Sequence, residues 1–300
     1  MKIQNVLIPT DGSDRSTAAA RRGFGLAAAL DCTVHVLSVA DSSIATGAGY
    51  GPDSPSIRTR LRETATERAT SLRDEATQRG IEATAATREG IPAKEIVTYA
   101  DAAEIDAILL GTSGRGGVAR TVMGSVADKV VRTAPIPVIT ITPAAARAEA
   151  TDTVDTILLP TDGSEPATQA AVFGVELASQ VTATVHFISV IDHGRSSVLT
   201  EILDGEGAGT EAVLHELVSD QLTALVADAQ NAGVEAHGMV TEGDPAEEIV
   251  HYAESNAVDL IGLGTTGRGG FERFLVGSVA DHVIRTSPVP VLTLRQTDTK

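Results

Sequence analysis

The sequence predicts an α/β protein made of two doubly wound domains, and three observations predict it. The chain is written twice, each copy alternates short β-branched runs with helix-length stretches, and the glycine-rich loops fall directly after strands. NVLIPTDGS at 5–13 recurs as TILLPTDGS at 156–164, and EGIPAKEIVTYA at 89–100 recurs as EGDPAEEIVHYA at 242–253. GSVADKVVRTAPIPVITI from Gly124 recurs as GSVADHVIRTSPVPVLTL from Gly277. Asn5 to Thr156 is an offset of 151 and Glu89 to Glu242 one of 153, so two residues enter the second copy between about 192 and 242. Repeats of this length are domains, since solenoid units are far shorter. The division expected is a first domain over 1–143, an Ala/Thr-rich linker over 144–153 and a second domain over 154–300.

In the first copy, residues 6–9, 33–39, 83–88, 105–110 and 137–141 read as five strands. The first helix begins near Ser13. The second runs from about Ser56 to Arg79, ahead of Gly80, and the third starts at Pro92, a residue suited to a first turn. Crossovers between parallel strands are right-handed and cover both faces of the sheet, which leaves ligands to the carboxyl ends of the strands. Both informative loops fall there. PTDGS follows the first strand, and GTSGRGGVARTVMGS at 111–125 follows the fourth, copied as GTTGRGGFERFLVGS at 264–278.

Composition narrows the function classes. Three hundred residues with 42% hydrophobic content bury a substantial core. No apolar run approaches the length of a membrane span, and MKIQNVLIPTDGS lacks the apolar core of a secretory signal, so no membrane partner and a cytoplasmic location are expected. The single cysteine, Cys32, allows no internal disulfide and no multi-cysteine metal site, and it reads as a buried strand residue. A net charge of -17 without a Lys/Arg cluster argues against nucleic acid as a partner. Only four of the 23 basic residues are lysine, which with the acid excess suggests a salt-adapted cytoplasm. His35 and His186 read as core or edge histidines, and no HExxH or similar spacing joins the seven histidines into a dedicated metal site.

The glycine loop has the spacing G-x2-G-x9-G-S, through Gly111, Gly114, Gly124 and Ser125, then Gly264, Gly267, Gly277 and Ser278. Glycines after a strand let amide groups approach a ligand, and the last Gly-Ser opens a helix whose free N–H groups favour an anion. The loop is neither a G-K-[ST] phosphate loop nor a G-x-G-x-x-G fingerprint. Arg115 and Arg120 lie in an acid-free stretch over 111–127, and Arg268 and Arg273 repeat them beside Glu272. A plainer reading stands next to this one. Ser125-Val-Ala-Asp128 and Ser278-Val-Ala-Asp281 are S-x-x-D capping boxes, so the serines can serve only to start a helix. Asp11 and Asp162 are open to two roles in the same way: a turn carboxylate bonding nearby amides, or an acceptor for a ribose hydroxyl, an adenine amino group or a metal ion on phosphates.

With these residues on the page, both halves resemble universal stress protein domains of the ATP-binding branch, over essentially the whole chain. The resemblance rests on G-x2-G-x9-G-[ST] between a strand and a helix, on the P-x-P-V strand at Pro135 and Pro288, and on PTDGS. It implies Rossmann-like domains with a five-stranded parallel sheet in the order 3-2-1-4-5. It further implies ATP, with Mg through its phosphates, held by Asp11, Val39, Gly111, Gly114, Gly124 and Ser125. The matching set is Asp162, Val190, Gly264, Gly267, Gly277 and Ser278. In such proteins the glycine motif holds phosphates and ribose, the aspartate lies near the adenosine, and a valine ending the second strand meets adenine through its backbone. Family domains pair through their last strands, so the two halves are expected to pair as an intramolecular pseudo-dimer.

The function expected is a regulatory nucleotide binder with little or no turnover, acting on a protein partner not specified by the sequence. Nothing in the loop supplies a base beyond Asp11 or Asp162. The alternatives are a ligand-free scaffold of the same fold and an ATP-pyrophosphatase-like adenylating enzyme. PTDGSD resembles such an enzyme's loop, yet lacks its serine-glycine-glycine opening. The halves differ most over 42–56 and 192–210, read either as loop drift or as lids giving the sites unequal affinity.

Overall fold

The computed structural model describes residues 2–41, 55–114, 123–148, 152–192, 207–265 and 276–295. The chain forms two compact units, Lys2–Thr153 and Val154–Lys300. The first unit runs β1 (Asn5–Thr10), α1 (Asp14–Ala29), β2 (Thr33–Asp41), α2 (Pro55–Gln78), β3 (Ala83–Gly90), α3 (Pro92–Ala102), β4 (Ala107–Gly111), α4 (Ser125–Thr133) and β5 (Val138–Ile141). The second runs β6 (Thr156–Pro160), α5 (Glu165–Val181), β7 (Thr184–Ile191), α6 (Gly207–Asn231), β8 (Ala236–Glu242), α7 (Pro245–Ser255), β9 (Leu260–Gly264), α8 (Ser278–Thr286) and β10 (Val291–Leu294).

Each unit holds the five-stranded parallel order expected from the resemblance. The strands lie β3-β2-β1-β4-β5 in the first unit and β8-β7-β6-β9-β10 in the second. Central strands are apolar on both faces because helices cover both, so AILL of β4 and LIGL of β9 are buried throughout. Their register is pinned from the side. The Asp106 carboxylate accepts from the N–H groups of Gln4 and Asn5, both at 2.8 Å, and Asp259 does the same for Asp155 and Thr156 at 2.8 and 3.0 Å. β4 starts at Ala107, two residues beyond the expected 105, and Asp106 just ahead of it ties to β1 by backbone as well as side chain, its N–H donating to Asn5 O at 2.9 Å.

Helix starts follow side-chain chemistry. Ser13 caps α1 by accepting from Ser16 N, Asp244 caps α7 by accepting from Ala246 N and Glu247 N, and Pro92 opens α3. Cys32 is buried in the turn ahead of β2 and not inside it, and its Sγ lies 3.5 Å from the carbonyl of Ala27. Burial, with Asp106 and Asp31 nearby, pushes its thiol up to about 12. His35 and His186 bind Tyr99 and Tyr252 by Nδ1 to hydroxyl contacts of 3.1 and 3.0 Å, tying β2 to α3 and β7 to α7.

The segment read as linker begins inside the first unit. Thr142 Oγ1 accepts from Ala145 N, and a 3-10 turn over Ala145–Arg147 buries Ala145 completely. No helix among the described residues is long and apolar enough to cross a membrane.

Candidate functional site

The strand order reverses direction between β1 and β4, so the loops leaving these two strands part to opposite faces and open a crevice at their carboxyl ends. Thr10 pairs with Ser38, which brings Asp11 level with Val39, a half-buried residue opposite Arg88. In the second unit Pro160 pairs with Ile188, and Asp162 stands level with the half-buried Val190 in the same way.

The β1 loop is fixed by its own side chains. Thr10 Oγ1 accepts from Gly12 N at 3.1 Å, and Asp11 Oδ1 accepts from Ser13 N at 2.9 Å. Gly12 takes φ +75°, a left-handed conformation that a side chain would strain. Thr161, Asp162 and Gly163 repeat the arrangement, with contacts of 3.2 and 3.0 Å and φ +75°. Asp11 therefore is the turn carboxylate of the plainer reading, through one oxygen. Its other oxygen faces the glycine loop: a Cβ on Gly114 would come within 2.8 Å of Asp11 Oδ2. Only glycine allows that approach.

The glycine loop closes on itself. Thr112 N donates to Ile141 O at 2.9 Å, and Thr112 O accepts from Gly124 N at 2.7 Å, so the two ends of the loop meet beside Gly114. Thr265 bonds Leu294 and Gly277 with the same 2.9 and 2.7 Å contacts. Gly111 ends β4 against Ala19 and Arg15 of α1, and Gly264 ends β9 against the backbone of Pro166.

The capping-box expectation fails at this point. The N-cap of α4 is Gly124 and that of α8 is Gly277, each extended and without a side-chain cap, while Ser125 and Ser278 are the first helical residues. The aspartates of the S-x-x-D pattern are engaged along the helix instead, Asp128 with Arg132 at 2.9 Å and Asp281 with Arg285 at 2.8 Å. The exposed hydroxyls of Ser125 and Ser278 are thus released from capping. The first intrahelical bond runs from Asp128 N to Gly124 O, and from Asp281 N to Gly277 O in α8. That leaves the N–H groups of residues 125–127 and 278–280 without acceptors in their own helices. The result is a positive helix end, open amides and a hydroxyl, the chemistry that holds an anion.

Asp11, Val39, Gly111, Gly114, Gly124 and Ser125 thereby gather at one crevice. Asp162, Val190, Gly264, Gly277 and Ser278 gather at the other. Gly267, Arg115, Arg120, Arg268 and Arg273 lie outside the described residues, as do most of 42–56 and 192–210. Arg68 of α2, which no sequence pattern marks, lies across Gly12.

Known proteins share both the sequence and the fold. A family model described as the universal stress protein family matches residues 2–142 and again 153–295. A universal stress protein of Methanocaldococcus jannaschii is 36% identical over 149 residues, covering 47% of this chain and 81% of that one. One from Mycobacterium tuberculosis is 30% identical over 200 residues, covering 64% of this chain and 63% of that one. The solved structure of a universal stress protein from Archaeoglobus fulgidus overlays with a TM-score of 0.72 at 22% identity, covering 99% of this chain and 97% of the other, a likeness of fold.

Proposed function

The chain belongs to the universal stress protein family, and on that premise we propose that each half holds one adenine nucleotide, ATP with Mg, as the regulatory ligand of a cytoplasmic protein with little turnover. The observation that carries this reading is the paired uncapped helix start at Gly124-Ser125 and Gly277-Ser278. A serine at the cap would engage one of the free amides with its hydroxyl, whereas a glycine there has no side chain to do so. Here the serine is displaced by one position and the backbone amides stay open, in both copies.

The residues fit a phosphate. Gly111 and Gly114 clear the approach, Gly124, Ser125 and the amides of α4 would hold phosphate oxygens, and Asp11 and the backbone of Val39 would meet the adenosine. Asp162, Val190, Gly264, Gly267, Gly277 and Ser278 are the second set. Mg would bind through the phosphates and neutralise part of their charge. The site carboxylates suit binding better than proton transfer, because one oxygen of Asp11 and of Asp162 is already committed to Ser13 N and Ser164 N. Any hydrolysis is therefore slow.

The test is to purify the protein with Mg, denature it, and identify and count the released nucleotide by chromatography. The expected count is close to two ATP per chain, falling by one in Gly124→Val and by one in Gly277→Val. Folded protein that carries no nucleotide and takes up none would leave the loops as turn chemistry and the molecule as a scaffold.

A further inference from the structure

The two crevices repeat the same β1-loop backbone, and one charged side chain that lies on the first of them has no charged counterpart in the second half. In the first unit the side chain of Arg68 lies over Gly12: its Cδ, Nε and Cγ are 2.5, 2.6 and 2.9 Å from where a Cβ on Gly12 would stand. Gly12 adjoins Asp11, whose Oδ2 abuts Gly114. The guanidinium therefore starts on the very loop that shapes the crevice. Arg68 stands twelve residues before Gly80, which follows α2 with φ +82°, and twelve residues before Gly233, with φ +80°, stands Gln221. The two helices are in matched register, since Ala69 and Ala76 are buried as are Leu222 and Ala229. The chain thus puts a cation beside the first crevice and a neutral amide at the matching position of α6.

We propose that Arg68 is a nucleotide-binding residue of the first half alone, a positive charge for the phosphates that makes this site the tighter of the two. The proposal rests on the nucleotide reading above and gives it a direction. A guanidinium offers several donors in a planar fork that matches phosphate oxygens. In a chain of net charge -17 a cation at the crevice also offsets repulsion of a polyanion.

The experiment titrates ATP with Mg into the full chain carrying Gly277→Val, which leaves the first site, and into the chain carrying Gly124→Val, which leaves the second. In the first background Arg68→Gln is expected to weaken ATP by about tenfold, the loss of one charge-assisted contact, and Arg68→Lys, which restores the charge without the planar fork, to recover part of it. The dependence of affinity on salt flattens in Arg68→Gln. In the second background Gln221→Arg tightens ATP. An affinity within about twofold of the parent in Arg68→Gln would overturn the proposal. So would equal losses in Arg68→Gln and Arg68→Lys with an unchanged salt dependence, the mark of a packing role. Two-site binding by the unmodified chain that stays the same in Arg68→Gln overturns this inference alone, whereas no binding at all overturns the nucleotide reading and this inference with it.

Discussion

Two serines that each follow a glycine at the start of a helix do different work, and the difference is measurable. Ser13 accepts from Ser16 N and caps α1, whereas Ser125 sits one position inside α4 and caps nothing. Ser13→Ala should therefore cost about 1 kcal/mol of stability, as the loss of a helix cap does. Ser125→Ala should stay within about 0.5 kcal/mol, as an exposed substitution does, while weakening ATP. Urea unfolding midpoints of the two variants check this directly. A Ser125→Ala loss as large as that of Ser13→Ala would restore the capping role and remove the main support for an open anion site. The pattern S-x-x-D did not reveal the outcome, because the glycine ahead of it is also a good cap and Asp128 has a second partner in Arg132.

At the scale of elements, one hydrogen bond in each half joins a strand to the helix that follows the next strand. His35 meets Tyr99, over whose ring Arg88 lies, and His186 meets Tyr252 with His237 and Glu235 close by. Burial lowers the pKa of both histidines, with His237 adding to the effect at His186. A histidine whose folded pKa lies below its unfolded value contributes stability that is fully present above the ordinary range near 6.5. That contribution is lost as pH falls through the folded value. The unmodified protein should thus lose stability between about pH 7 and about pH 5, and the double variant His35→Gln, His186→Gln should lose less, read from urea midpoints across that range. An equal loss in both proteins would contradict the assignment. Strand positions were the most legible part of the sequence: 33–39 reads as a strand and Thr33–Asp41 is one, because β-branched runs flanked by turns leave few alternatives. The start of β4 was not legible, since nothing local says that Asp106 serves β1. Arg68 was invisible for the same reason, being brought to Gly12 from 56 residues downstream by the packing of α2.

For the whole molecule the repeat and the charge are the governing facts. The repeat was readable in full from the chain itself, and with it the family, because long internal matches survive where single motifs would be ambiguous. The charge of -17 predicts that mutual repulsion opposes the compact state at low salt. The melting temperature should rise between about 0.1 and about 2 M KCl as screening shortens the reach of that repulsion. A melting temperature highest in dilute buffer would refute the salt-adapted reading. The central claim, one nucleotide in each of two crevices, is tested most directly by equilibrium titration of the folded chain with ATP and Mg. Saturation at two ATP per chain is the result predicted. Saturation at zero, with the fold verified in the same sample, would contradict it.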